Sequence, residues 1–207
     1  TLIVNYAGPN GEIYFYQHTN VWENEHLLKY TPRAIVDARS RHRTMLPEEE
    51  YQNGHILSAE TCKALTDKGV KVNLGAHGQL QGLGAHWELW MLEQGGMTNM
   101  EALRAATYNG AHYLGLDDQI GSLKEGKLAD LVVLDANPLE DIRNTEKVKY
   151  TMVNGRLYDV STMNEIGNRE EARSKFYWEN NNYNQSFSWH EIGESYMRVG
   201  CSCEESH

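Results

Sequence analysis

Val70-Lys-Val-Asn-Leu-Gly-Ala-His77 leads into Gly82-Leu-Gly-Ala-His86-Trp-Glu-Leu-Trp90, and Thr98 to Gly115 and Gly121-Ser-Leu-Lys-Glu-Gly-Lys127-Leu-Ala-Asp130-Leu-Val-Val-Leu-Asp135 follow. Val70, Val72 and Leu74 alternate with Lys71 and Asn73, which predicts a short strand over 70–75 ending at Gly75 and a histidine. Helices are predicted at about 84–95 and 98–114, and a glycine-punctuated β segment comes next. The order strand, helix, helix, sheet predicts an α/β architecture with an appended β module. Chemistry is expected where strand 70–75 ends, because parallel α/β folds collect catalytic groups at the carboxyl ends of their strands.

Upstream, Ser58 is placed to cap a helix running to about Lys68, with Ala59, Cys62 and Leu65 on one face and Gly69 as the stop. Helix followed closely by strand is the αβ half of a parallel unit. Residues 1–7 read as a further buried strand, stopped by Ala7-Gly-Pro-Asn-Gly11. From there to Gly54 the periodicity is poor, with a helical hint only near Glu25–Lys29, so this stretch is expected to be a lid over a site or a disordered insertion.

Downstream, Leu83, Trp87, Trp90 and Met91 form one apolar stripe, and Thr98 with Glu101 makes a capping box for the next helix. Leu103, Ala106, Gly110 and Leu114 line a narrow face that is expected to pack closely on a neighbour. Leu131-Val-Val-Leu134 reads as a buried strand, and Asn154-Gly155 between alternating runs predicts a hairpin. From Met163 on, an Asn/Glu/Ser-rich stretch with scattered aromatics reads as a wrapping tail. The expected divisions are 1–119, 120–160 and 161–207.

A chain of 207 residues with 40% hydrophobic side chains can bury a substantial core. Its net charge of −10 disfavours a nucleic acid or an anionic membrane as partner, and no apolar run approaches the ~20 residues of a membrane span. Cys62, Cys201 and Cys203 make neither a disulfide framework nor a four-ligand zinc site. Cys62 is read as a small hydrophobe.

His77 and His86 are the candidate catalytic residues. His77 follows the strand end between Gly75 and Gly78, where an imidazole can ligate a metal or move a proton near neutral pH; the bland alternative is a loop histidine with local hydrogen bonds. His86 opens the next helix and can face the same rim or make a local polar contact. Gly121-Ser-x-x-x-Gly126-Lys127 lacks the Ser/Thr of a phosphate loop and leads into a strand rather than a helix, so it is not one. Asp130 is expected to anchor the loop. No His-x-His, His-Glu-x-x-His or Gly-x-Ser-x-Gly occurs, so the residues alone make no complete active site.

Gly121 to Asp135, with Met97-Thr-x-Met-Glu-Ala-Leu-Arg-Ala-Ala-Thr107 and Tyr113-Leu-Gly-Leu116, resembles the carboxyl-terminal part of metal-dependent amidohydrolases. Leu74-Gly-Ala-His-Gly-Gln-Leu-Gln-Gly-Leu-Gly-Ala-His-Trp-Glu-Leu-Trp90 looks like the imidazolonepropionase-like branch, whose members are often fused to an amino-terminal β-propeller. The resemblance implies an α/β fold, the carboxyl-terminal part of a (β/α)8 barrel with a small appended β-sandwich portion. Residues 1–7 would be the seventh barrel strand and 70–75 the eighth. His-x-His ligands, a bridging lysine or glutamate and two further histidines would lie upstream, on the missing amino-terminal part of the same protein.

The family's eighth-strand aspartate, a metal ligand and proton acceptor, aligns with His77, which becomes the metal-ligand candidate of this chain. The implied activity is hydrolysis of C–N bonds in an amide-like small molecule or peptide-like substrate. The implied cofactor is a divalent metal, zinc foremost, in the full-length parent, and this piece is left free to hold none. A non-catalytic fragment or binding module is the alternative. The compartment stays open, with a periplasmic or extracytoplasmic one allowed by the resemblance.

Overall fold

The computed structural model describes residues 11–33, 35–36, 46–77, 80 and 82–180. The predicted strand 1–7 and Cys201 and Cys203 lie outside the described residues. The chain divides into two units, Thr1–Thr19 with His42–Arg173, and Asn20–Arg41 with Ser174–His207.

In the first unit, α1 (Gly11–His18) falls in the stretch expected to lack regular structure. Its aromatic side chains explain why a helix forms there without a helical polar pattern: Phe15 stacks on Trp87 at 5.2 Å, and Tyr16 meets the same indole edge-on at 5.1 Å. Such pairs contribute roughly 0.5–1.5 kcal/mol each beyond the area they bury.

The second unit contains α2 (Glu25–Tyr30), near the anticipated hint, capped by Asn24 accepting from Leu27 N–H at 2.9 Å. It also carries the stacked Phe176 and Trp178 rings, 4.6 Å apart, and the single turn Tyr177–Asn180.

Back in the first unit, α3 (Glu48–Tyr51) passes through a π-helical turn, Gln52–Ile56, into α4 (Leu57–Asp67). The run is kinked at Gly54 (φ −96°, ψ −110°) but already helical at Ile56 and Leu57, so Ser58 does not cap it. Its hydroxyl instead donates to Gly54 C=O at 3.2 Å, one turn back. Ala59 is fully buried but Leu65 is exposed, which narrows the expected apolar face.

The next helix, α5 (Leu83–Gln94), is the core of this unit. The expected stripe is present, but Gly84, Glu88, Leu89 and Leu92 are buried as well, so the helix is enclosed on more than one face. The capping box forms as predicted, with Glu101 N–H donating to Thr98 Oγ1 at 3.3 Å and Thr98 N–H to Glu101 Oε2 at 2.8 Å.

The predicted 98–114 helix is two helices, α6 (Asn99–Ala106) and α7 (Tyr108–Tyr113), broken at Thr107 with φ −131° and ψ −91°. The break shifts the apolar register, so Ala102, Ala105 and Ala111 are the buried positions. Ala106 and Leu114 are exposed, and a Cβ on Gly110 would meet nothing within 4 Å. The close-packed face expected from Leu103, Ala106, Gly110 and Leu114 is therefore not formed.

The β module is an antiparallel meander of β1 (Leu131–Leu134), β2 (Val148–Val153), β3 (Arg156–Asp159) and β4 (Glu165–Ile166), in that spatial order. The hairpin turns where predicted: Asn154 and Gly155 have φ of +50° and +76° between the paired Val153 and Arg156, the two positive angles of a type I′ turn. Asp130 Oδ1 accepts from Asn154 N–H at 2.6 Å, so this residue anchors the turn, as expected.

β1 is not buried. It is an edge strand, and Val132 is 56% exposed beside an exposed Val133, because consecutive strand residues point to opposite faces and each face is only partly covered, at Leu131 and Leu134, among the described residues. Arg156 grips buried Glu165 through Nε at 3.1 Å and Nη2 at 2.5 Å, tying β3 to β4 and holding the carboxyl below its ordinary range.

Trp90 joins the helices to the module. Its Nε1–H is shared between Ile142 C=O and Thr145 Oγ1, each at 3.2 Å, and Arg143 lies 4.9 Å over its ring.

Candidate functional site

The segment before His77 is extended but is not a strand among the described residues. A strand needs a ladder partner, and the amides here find helices instead. Val72 C=O accepts from Asn109 Nδ2 at 2.9 Å, Leu74 N–H donates to Ala105 C=O at 3.0 Å, and Gly75 N–H donates to Glu88 Oε1 at 3.1 Å. Three elements, α5, α6 and α7, thus hold a six-residue stretch on its way to the candidate residue.

His77 itself is exposed, in the left-handed backbone region at φ +55°. Histidine, asparagine and aspartate are the non-glycine residues best tolerated there, so the conformation suits both His77 and the aspartate it aligns with. The sharp turn carries the imidazole out of the clamped segment toward solvent.

His86 is the fourth residue of α5 rather than its opening one. Its ring is half-buried, Nδ1 is enclosed with no hydrogen-bond partner, and burial lowers its pKa below the usual histidine value. No hydrogen bond joins it to His77, so the two predicted histidines lie on neighbouring elements without forming a pair.

Glu88 escaped the sequence reading. It is 2% exposed, in a helix otherwise lined by Trp87, Leu89, Trp90 and Met91. Its signal was visible: a single carboxylate inside an apolar run costs desolvation energy and demands partners.

A second group of polar side chains was also missed. Tyr14 stacks on His18 at 4.0 Å and approaches Tyr51 and His55 at 5.1 Å each; His18 bonds Glu48 at 2.9 Å, and His55 Nε2 lies 3.2 Å from Gln94 Oε1. Burial pushes the Tyr51 hydroxyl up to about 12 and lowers His55. The i, i+4 spacings Tyr14/His18 and Tyr51/His55 are the trace these leave in the sequence.

Two other features are structural. Lys127 Nζ donates to Ile120 C=O at 3.2 Å, to Ser122 Oγ at 2.7 Å and to Asp117 C=O, so the lysine of the glycine-punctuated loop closes that loop on itself and is not held out for a phosphate. Cys62 is a half-buried free thiol whose pKa burial raises, the opposite of what a reactive cysteine needs.

Among the described residues, no three His, Cys, Asp or Glu side chains converge to hold a metal ion. A catalytic zinc takes three protein ligands, so the described residues do not by themselves fit one. His77 offers a single exposed imidazole.

The sequence pattern of the Amidohydrolase family matches residues 26–158. The chain belongs to this family. An ochratoxinase of Aspergillus niger is 35% identical over 172 residues, which cover 78% of this chain and 35% of that protein. A 5-methylthioadenosine/S-adenosylhomocysteine deaminase of Teredinibacter turnerae is 33% identical over 120 residues, 50% of this chain and 27% of its own. Among solved structures, a Xaa-Pro dipeptidase with methionine bound in its active site aligns with a TM-score of 0.48 and 29% identity, over 64% of this chain and 33% of that one. The chain therefore spans about a third of the ochratoxinase and about a quarter of the deaminase.

Proposed function

We propose that this chain is the carboxyl-terminal part of a metal-dependent amidohydrolase of the imidazolonepropionase-like branch, acting on C–N bonds of a small-molecule or peptide-like substrate. The observation that carries the reading is His77, turned out at the end of a helix-held segment within the 26–158 match; by the sequence resemblance it aligns with the family's strand-end aspartate. Segment 70–75 then takes the place of the last strand of a barrel whose other strands, and most of whose metal ligands, lie outside the described residues. The relatives' names support the reaction class, since one is a deaminase.

A divalent cation, if the complete protein held one, would supply Lewis-acid polarisation of the scissile carbonyl and a more acidic water. The described residues supply no set of ligands for it, so their own parts in the reaction are more limited. His77 accepts or donates a proton at the reacting carbon's rim, or supplies one donor atom. His86 stays neutral near pH 7 because burial disfavours its cation, and its part in this proposal is to help orient the substrate. A periplasmic or extracytoplasmic location and an amino-terminal propeller remain parts of this proposal that rest on the sequence resemblance.

The test is turnover by the complete protein with metal content assayed in parallel. His77→Ala is expected to lower kcat by roughly 10²–10⁴-fold, the usual worth of a positioned acid or base. His77→Asp, which suits the same backbone, is expected to retain activity if the position binds metal. Alanine in the left-handed region costs about 1–2 kcal/mol, so folding is checked alongside. Wild-type turnover in His77→Ala would return His77 to a loop histidine and favour a binding module.

A further inference from the structure

We infer that Glu88 is a positioning residue for the catalytic rim: from the buried middle of α5 its carboxyl fixes Gly75 N–H, and so the backbone turn that presents His77. The inference rests on the reading of His77 given above and adds to it a residue that touches no substrate.

Glu88 Oε1 accepts from Gly75 N–H at 3.1 Å, two residues before His77. Val72 and Leu74 are held by α7 and α6 at 2.9 and 3.0 Å, and among the described residues the bond to Glu88 is the last hydrogen bond before His77. Gly75 cannot fix itself. It has no side chain to pack, and a glycine samples more backbone states than any other residue. His77 occupies the left-handed region at φ +55°, a conformation that persists only where its surroundings impose it. A carboxyl at 2% exposure among Trp87, Leu89, Trp90 and Met91 is costly by packing criteria alone, and an apolar side chain of similar length would fill the same space. Its Oε1 is placed as an acceptor for the Gly75 amide.

Two substitutions separate acceptor from bulk. Glu88→Gln keeps an oxygen that can accept from Gly75 N–H. Glu88→Met keeps the length and flexibility of the side chain, suits the apolar walls, and offers no oxygen. In the 207-residue chain, amide hydrogen exchange at Gly75 is expected to be slow in the wild type and in Glu88→Gln, and at least tenfold faster in Glu88→Met. In the complete protein, Glu88→Met is expected to lower kcat by about 10²-fold, the cost of misplacing a reacting group by about 1 Å, with KM little changed. Glu88→Gln should restore kcat to within a few-fold. Adding Glu88→Met to His77→Ala should cost nothing further, because one acts through the other.

A merely structural carboxyl would alter neither the Gly75 exchange rate selectively nor the kcat-to-KM split. Fast Gly75 exchange in the wild type, or unchanged turnover in Glu88→Met beside a crippled His77→Ala, would overturn the inference alone. Unchanged turnover in His77→Ala would overturn the functional reading and the inference together. The Gly75 exchange contrast is read independently of either rate.

Discussion

Two glycine-to-alanine substitutions in this chain are expected to move stability in opposite directions. A Cβ built on Gly95 would lie 2.3 Å from Ala59 C, 2.4 Å from Ala59 Cβ and 2.6 Å from Ala59 O. Ordinary contact begins near 3.4 Å, so α4 and the end of α5 must separate by about 1 Å. The obstruction is backbone, which cannot swing aside as a long side chain can. Overpacking of this kind costs about 1–3 kcal/mol, and a backbone clash belongs at the upper end. At Gly110, inside α7, an added methyl meets nothing within 4 Å, and alanine there is expected to gain about 0.4–1 kcal/mol through the lower entropy of the unfolded chain. Urea unfolding followed by tryptophan fluorescence reads both, because Trp87 and Trp90 are buried in α5. Against a total stability of roughly 5–15 kcal/mol, a loss near 3 kcal/mol in Gly95→Ala is a large displacement of the midpoint. Gly95→Ala within ~0.5 kcal/mol of wild type would refute the α4–α5 contact.

Other tests probe the same unit. Thr98→Ala removes the acceptor for Glu101 N–H and should cost about 1 kcal/mol, measured by denaturation with Thr98→Ser as the near-neutral control; an unchanged midpoint would mean that the box does not cap α6. Burial holds His55 and His86 below the usual histidine value, so the unfolded chain takes up protons first as pH falls through about 6.5, and stability drops from there until the folded-state values are reached. The loss is at most about 1.4 kcal/mol per pH unit for each group. Among the described residues, Tyr14, Tyr51 and Gln94 lie against His55. A His55→Phe, His86→Phe double variant should flatten the stability profile between pH 7.5 and 5.5, and an unchanged slope would assign the acid sensitivity elsewhere.

The parts of the fold legible in the sequence are those fixed within a few residues. Thr98 with Glu101, and Asn154-Gly155 between Val153 and Arg156, each specify a backbone geometry that no distant contact needs to supply, and both appear as predicted. The segment 70–75 failed for the opposite reason. Alternation marks a residue run as able to enter a ladder, but the ladder belongs to the neighbour, and here the amides of Leu74 and Gly75 are satisfied by helices. β1 shows the same limit, because Leu131-Val-Val-Leu134 describes what a strand can bury, whereas burial is decided by what lies over it. α1 failed differently: its helical state follows from Phe15 and Tyr16 finding Trp87 some seventy residues on, and a periodicity count cannot see the partner.

The site was legible by residue type but not by connection. A histidine after a strand-like run draws attention because imidazole chemistry suits a rim, and His77 does emerge there. What holds such a residue is written less conspicuously. In Trp87-Glu88-Leu89-Trp90 the charged residue breaks an apolar run without belonging to any recognised motif, and helical spacing alone assigns it to a solvated face. The all-round burial of α5 removes that option. Once the helix is enclosed, a carboxyl in its interior must answer a donor, and the nearby chain offers one in an amide that lost its strand partner. The unmet hydrogen bond of an extended segment and the misplaced charge of a buried helix are thus two halves of one local solution, which is why neither half is interpretable from the sequence until the other is in view.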